Sequence, residues 1–202
     1  MKKILITQRN ERIGQFKELR DNLDLRYVNL IQNLNMLPII MPNMSKNINQ
    51  FLDTLKPDGI LLTSGGNPKE NNLRKITENK LIKYSIKNNL PLIGICRGAQ
   101  VINIFFKGNV VPIKNHVRRN HIIKGEIIKG MKKTSVNSYH DLGITKKTLG
   151  KNLKILASTN DLSIECFKHT RKEIMGIMWH PERYKILRKF EKKIIKNFYK
   201  CN

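Results

Sequence analysis

The chain has 202 residues, 40% of them hydrophobic, and its 39 Lys+Arg against 15 Asp+Glu leave a formal charge of +24. No apolar run approaches the ~20 residues of a membrane-spanning helix. The three widely spaced cysteines (Cys96, Cys166 and Cys201) argue against a disulfide framework and for a reduced, cytoplasmic setting.

Met1-Lys2-Lys3-Ile4-Leu5-Ile6-Thr7 turns polar too soon for a signal peptide and reads as a first core strand over 3–7. Helical periodicity follows at about 26–36, then a strand at 38–41, a helix at 46–55 and a strand at 59–63. A helix at 72–88, a strand at 91–95 and a helix at 98–106 continue the alternation. Leu37-Pro38, Pro57-Asp58-Gly59 and Leu90-Pro91 mark the helix-to-strand switches. This order predicts an α/β fold, a parallel sheet flanked by helices. The second half differs: Lys154–Ser158, Ser163–Phe167 and Ile174–Met178 read as short strands of an antiparallel extension. A last helix is predicted over about 184–199, with Ile186, Leu187, Phe190, Ile194, Ile195 and Phe198 on its apolar side. With no internal repeat or low-complexity linker, one domain over 1–202 is expected.

The stretch Pro91-Leu92-Ile93-Gly94-Ile95-Cys96-Arg97-Gly98-Ala99-Gln100 carries the most chemistry. An apolar strand runs into Gly-x-Cys-x-Gly and then into a helix, the pattern of a nucleophile elbow with sulfur in place of oxygen. The helix N-terminus would favour thiolate at Cys96. A buried structural cysteine is the alternative, and the flanking glycines favour the elbow. Ile174 to Met178 likewise ends in Trp179-His180-Pro181-Glu182, where His180 could serve as base and Glu182 could orient it; taken alone, this is a turn. Thr63-Ser64-Gly65-Gly66 follows a third strand, and its N–H groups could face a bound carbonyl, or form an ordinary turn. All three lie where parallel α/β sheets place their sites, beyond the strands' C-terminal ends.

Other polar residues read less sharply. His116 and His121 flank Arg118 and Arg119, but a five-residue spacing suits neither a helical nor a strand face. A solvated loop is expected there, and no metal site. His169 reads as surface, and Trp179 as core packing behind His180. The lysines are scattered in pairs such as Lys132-Lys133, Lys146-Lys147 and Lys192-Lys193, without an aromatic-basic motif. The charge therefore reads as compositional or as a field for small anions, and neither a specific nucleic-acid partner nor a membrane is expected.

Gly94-Ile95-Cys96-Arg97-Gly98-Ala99-Gln100, Asn137-Ser138-Tyr139-His140 and Trp179-His180-Pro181-Glu182 together resemble the class I glutamine amidotransferase superfamily, and within it the free-standing γ-glutamyl hydrolases. The resemblance covers about residues 3 to 190 and implies a flavodoxin-like sheet. It implies a catalytic triad of Cys96, His180 and Glu182, and an oxyanion hole from the N–H groups of Gly66 and Arg97. Substrate contacts would come from Gly65, Gln100, Asn137, Ser138, Tyr139 and His140, with no cofactor. Arg97 resembles the hydrolase branch, since glutaminases more often carry an apolar or aromatic residue there. Asp141-Leu142 and Asn67-Pro68 depart from the pattern at the pocket rim, so γ-glutamyl-γ-aminobutyrate does not simply carry over. The likeness extends to hydrolases of capsule phosphoramidate biosynthesis, which implies an anionic γ-glutamyl-nucleotide substrate. A glutaminase that feeds ammonia to a partner synthase is the alternative class, and a nucleic-acid-binding protein on this scaffold is a third.

Overall fold

The structure, a computed structural model, describes residues 1–44, 46–131 and 134–200, so Cys201 and the Lys132-Lys133 pair lie outside the described residues. The first half runs β1 (Lys3–Thr7), β2 (Arg9–Ile13), β3 (Glu18–Asn22), α1 (Leu25–Asn33), β4 (Leu37–Met41) and α2 (Ile48–Leu55). It continues through β5 (Gly59–Leu62), α3 (Leu73–Asn88), β6 (Leu92–Ile95) and α4 (Arg97–Phe105). The second half has β7 (Val111–Pro112), β8 (Val117–Ile123), β9 (Thr134–Tyr139) and β10 (Leu142–Gly143). The chain ends with β11 (Leu153–Ser158), β12 (Ile164–His169), β13 (Ile174–Ile177) and α5 (Lys189–Phe198).

A seven-stranded sheet in the order β11-β12-β13-β6-β5-β1-β4 forms the frame. The five strands from β13 to β4 pair in parallel, and β11 and β12 extend them antiparallel, as the sequence predicts. Strand alternation divides the core between the two faces. Ile4, Ile6, Leu61, Ile93 and Ile95 pack with Tyr27 and Ile31 of α1 and Ile195 of α5. Leu5, Ile60, Leu62 and Leu92 pack with Leu52 of α2, Leu81 of α3 and Ile102 of α4. Strands covered on both faces read as continuous apolar runs, which is why they are legible.

Three features depart from the sequence reading. The β2–β3 hairpin was not expected, because Arg9–Ile13 and Glu18–Asn22 show no apolar alternation. Side-chain bonds hold it instead, Asn10 to Asp21 at 2.8 Å and Asn22 to Glu11 at 2.9 Å. The expected loop around His116 and His121 is in fact the lead-in and body of β8, paired antiparallel with β9, and His116 is buried. The last helix starts at Lys189 rather than near 184. Pro181–Arg183 forms a 3₁₀ turn and Tyr184 is extended, with its hydroxyl accepting the Asn137 N–H at 3.1 Å. Ile186, expected on the apolar face, is consequently exposed. Among the described residues no helix is long and apolar enough to cross a membrane.

Candidate active site

Ile95 of β6 pairs with Ile177 of β13, so the chain leaves both strands at the same end of the sheet. Cys96 is the next residue after β6, and its N–H donates to the Ile177 carbonyl at 2.7 Å. It adopts φ 51°, ψ −103°, a conformation that L-residues avoid and that occurs as stored strain at functional turns. The glycines on either side serve proximity: a Cβ on Gly94 would lie 2.4 Å from the Gly98 carbonyl carbon, and one on Gly98 2.3 Å from the Leu62 oxygen. Strand, helix and the neighbouring β5 thus meet with the sulfur at the corner.

His180 follows β13, and Asn137 fixes its backbone from both sides. The Asn137 oxygen accepts the His180 N–H at 2.7 Å, and its amide donates to the His180 carbonyl at 2.9 Å. The 3₁₀ turn brings Glu182 back so that its Oε1 lies 2.6 Å from His180 Nδ1. A carboxylate only accepts, so the neutral imidazole carries its proton on Nδ1 and offers a lone pair at Nε2. That Nε2 is buried and has no hydrogen-bond partner among the described residues.

The loop after β5 is built as a rigid cradle. Thr63 N–H donates to Thr7 Oγ1 at 3.0 Å, and Ser64 N–H to the Tyr27 hydroxyl at 3.0 Å. The Arg74 guanidinium from α3 donates to the carbonyls of Thr63 and Gly65, both at 2.7 Å, and of Ser64 at 3.3 Å. Gly65 and Gly66 sit at φ +87° and +80°, a region that favours glycine. Glu78 bonds the Arg74 Nε at 2.8 Å and the Arg97 Nη1 at 2.7 Å through both oxygens. All three side chains are buried. Arg74 and Glu78 were missed in the sequence; their i,i+4 spacing on a charged helix is the only local signal.

A cavity of about 270 Å³ gathers Cys96, His180, Gly65, Gly66, Arg97, Gln100, Tyr139 and His140, with Arg9 and Arg183 among its further walls. Gln100 donates Nε2 to the Leu142 carbonyl at 2.7 Å, leaving its oxygen to accept. The Tyr139 ring meets His180 edge-on, with centroids 5.5 Å apart, and carries Arg183 over its face at 4.1 Å. Asn137 and Ser138, expected as substrate contacts, do not line this cavity. Asn137 is spent on the His180 backbone, and Ser138 Oγ donates to the His116 carbonyl at 2.5 Å. His140 lines the wall, but its Nδ1 lies 3.1 Å from the Leu142 carbonyl and its Nε2 3.6 Å from Glu165. Trp179 is fully buried, stacked with Phe190 at 6.1 Å.

Electrostatics also correct an expectation. Burial, then the Glu182 charge, push the Cys96 thiol up to about 12, and the Arg97 N–H only partly opposes them. The resting sulfur is a thiol rather than the thiolate that a helix N-terminus favours. Alkylation of Cys96 in substrate-free protein should therefore keep climbing with pH beyond the ordinary thiol range near 8.5 instead of levelling there. Glu182→Gln should move that profile to lower pH by removing negative charge. Peptide mass spectrometry of iodoacetamide-treated protein reads both, and a plateau below pH 8 would contradict the buried-thiol account.

A profile of the family described as "Glutamine amidotransferase class-I" matches residues 19–201. The chain belongs to this family. Over 110 residues this class I amidotransferase chain is 38% identical to a gamma-glutamyl-CDP-amidate hydrolase of Campylobacter jejuni. That match spans 54% of this chain and only 52% of the relative. It is 30% identical over 193 residues to anthranilate synthase component 2 of Cyanophora paradoxa, covering 91% of this chain and 97% of the relative. Among solved structures, a putative GMP synthase glutaminase-type protein of Thermoplasma acidophilum superposes with TM-score 0.74 at 24% identity, covering 99% and 93% of the two chains. A glutamine amidotransferase of Thermotoga maritima gives 0.66 at 13%, covering 97% and 83%. These structural likenesses speak for the fold.

Proposed function

We propose that this amidotransferase-family protein is a thiol hydrolase that cleaves a γ-glutamyl amide with an anionic leaving group and releases glutamate. The observation that carries the reading is the shared cavity of Cys96, His180 and the Gly65-Gly66 loop, with Arg9 and Arg183 in its wall. Substrate binding brings the amide carbonyl to the sulfur. His180 Nε2 takes the Cys96 proton as sulfur attacks, and Glu182 stabilises the imidazolium that forms. The N–H groups of Gly66 and Arg97 receive the oxyanion, each worth about 3 kcal/mol of barrier. His180 then protonates the leaving nitrogen, glutamate remains as a thioester on Cys96, and water releases it. The Gln100 oxygen suits an α-ammonium group.

Arg9 and Arg183 are partly exposed cations that an anionic leaving group would meet. The Campylobacter relative's name supports a nucleotide-linked amidate, and capsule phosphoramidate biosynthesis is the corresponding pathway. The match to an anthranilate synthase component supports a second reading, a glutaminase that passes ammonia to a separate synthase. A panel of γ-glutamyl conjugates assayed by glutamate release separates them. The hydrolase should prefer a phosphate-bearing conjugate over glutamine in kcat/KM and lose that preference as salt rises, since screening shortens from ~10 Å at 0.1 M to ~3 Å at 1 M. Arg9→Ala should cost the anionic conjugate about 10- to 100-fold, the worth of a charged hydrogen bond, and neutral amides far less. Glutamine as best substrate, or strong activation by a synthase, would give the second reading.

A further inference from the structure

Beside the Cys96 cavity lies a cluster that this chemistry does not use. We propose that His116, His140 and Glu165 bind one divalent transition-metal ion of the zinc class. Glu165 is 0%, His116 1% and His140 4% exposed. His116 Nδ1 lies 3.5 Å and His140 Nε2 3.6 Å from Glu165 Oε1, and the three ligand atoms all fall within 4.8 Å of one another. None of these atoms has a hydrogen-bond partner among the described residues, nor has Glu165 Oε2. Separations of this size are long for hydrogen bonds, but they match the edge of a tetrahedron of ligands ~2.1 Å from zinc, about 3.4 Å.

The outer nitrogens are arranged to match. His116 Nε2 lies 2.8 Å from Asp161 Oδ2, and His140 Nδ1 3.1 Å from the Leu142 carbonyl. Each acceptor takes a ring proton on the far side and turns the other nitrogen's lone pair toward Glu165, as the carboxylate and carbonyl partners of metal-bound histidines do. Two imidazoles and a carboxylate suit zinc rather than magnesium or calcium, which take oxygen. His121 stacks on His116 with centroids 4.0 Å apart and stands outside the set; its buried, unpartnered Nε2 suits a water in the fourth position. The ligands come from the residue before β8, the residue after β9 and β12. An ion there would clip the β8–β9 hairpin to the main sheet. It would also hold the His140–Leu142 corner that receives Gln100.

The test uses the whole chain, stripped with chelator and titrated with Co²⁺ and Zn²⁺. One equivalent of Co²⁺ should give the visible bands of a four-coordinate ion, Zn²⁺ should displace it, and the unfolding midpoint should rise with either metal. Glu165→Gln and His116→Gln should each abolish the bands, and Asp161→Ala should weaken affinity about 10- to 100-fold. If folded wild-type protein shows no stoichiometric bands, or both ligand variants keep them, the cluster is a hydrated ion-pair network and the proposal fails. The wild-type titration decides even where a variant does not fold, and no readout depends on catalysis.

Discussion

Cys96→Ala is expected to lower glutamate release by about 10⁴-fold or more, because it removes the atom that would carry the glutamyl group. The fold should survive. Alanine is smaller than cysteine, meets the same backbone penalty at φ 51°, and leaves the Gly94 and Gly98 contacts untouched. Circular dichroism and urea unfolding should place the variant within about 1 kcal/mol of the parent. Cys96→Gly supplies a sharper control. It relieves the Cβ strain and should be more stable than Cys96→Ala while equally inactive. A folded Cys96→Ala protein with near-parental turnover would remove Cys96 from the mechanism.

Glu78→Ala should destabilise the fold by about 3–5 kcal/mol, the cost of leaving buried charge uncompensated. Two guanidiniums converge on this carboxylate, and burial already pulls Arg74 down to about 10, with the Glu78 charge opposing and Arg97 adding to the fall. The variant would leave Arg74 and Arg97 facing one another without a counter-ion. The network also connects function, since Arg74 holds the carbonyls of Thr63, Ser64 and Gly65. Replacing the whole triad with Arg74→Met, Glu78→Leu and Arg97→Met should recover much of the stability, as apolar isosteres of buried ion pairs do. Activity should not return with it, because the loop would have lost its anchors. Urea unfolding of both variants, with glutamate release from the triple one, checks the two roles separately. Parental stability in Glu78→Ala would show that the network contributes nothing.

Sequence by itself determined the sheet and its chemistry at the strand ends. Strands β1, β5, β6 and β13 are covered on both faces, so each appears as an unbroken apolar run. Glycine at 94 and 98 and proline at 181 leave backbone signatures that can be read locally. Contacts between distant segments left no such trace. The β2–β3 hairpin supplies Arg9 to the cavity from strands without apolar alternation. Asn137 looked like a pocket residue and is instead a clamp on His180, 43 positions away. Arg74 and Glu78 read as an ordinary charged helix face until α4 brings Arg97 against them. His116 looked solvated because its neighbours are arginine and asparagine; only the pairing of β8 with β9 and the approach of β12 bury it beside Glu165. Periodicity records which face of an element is buried, whereas the partners of a buried polar group are set by the packing of elements far apart in the chain.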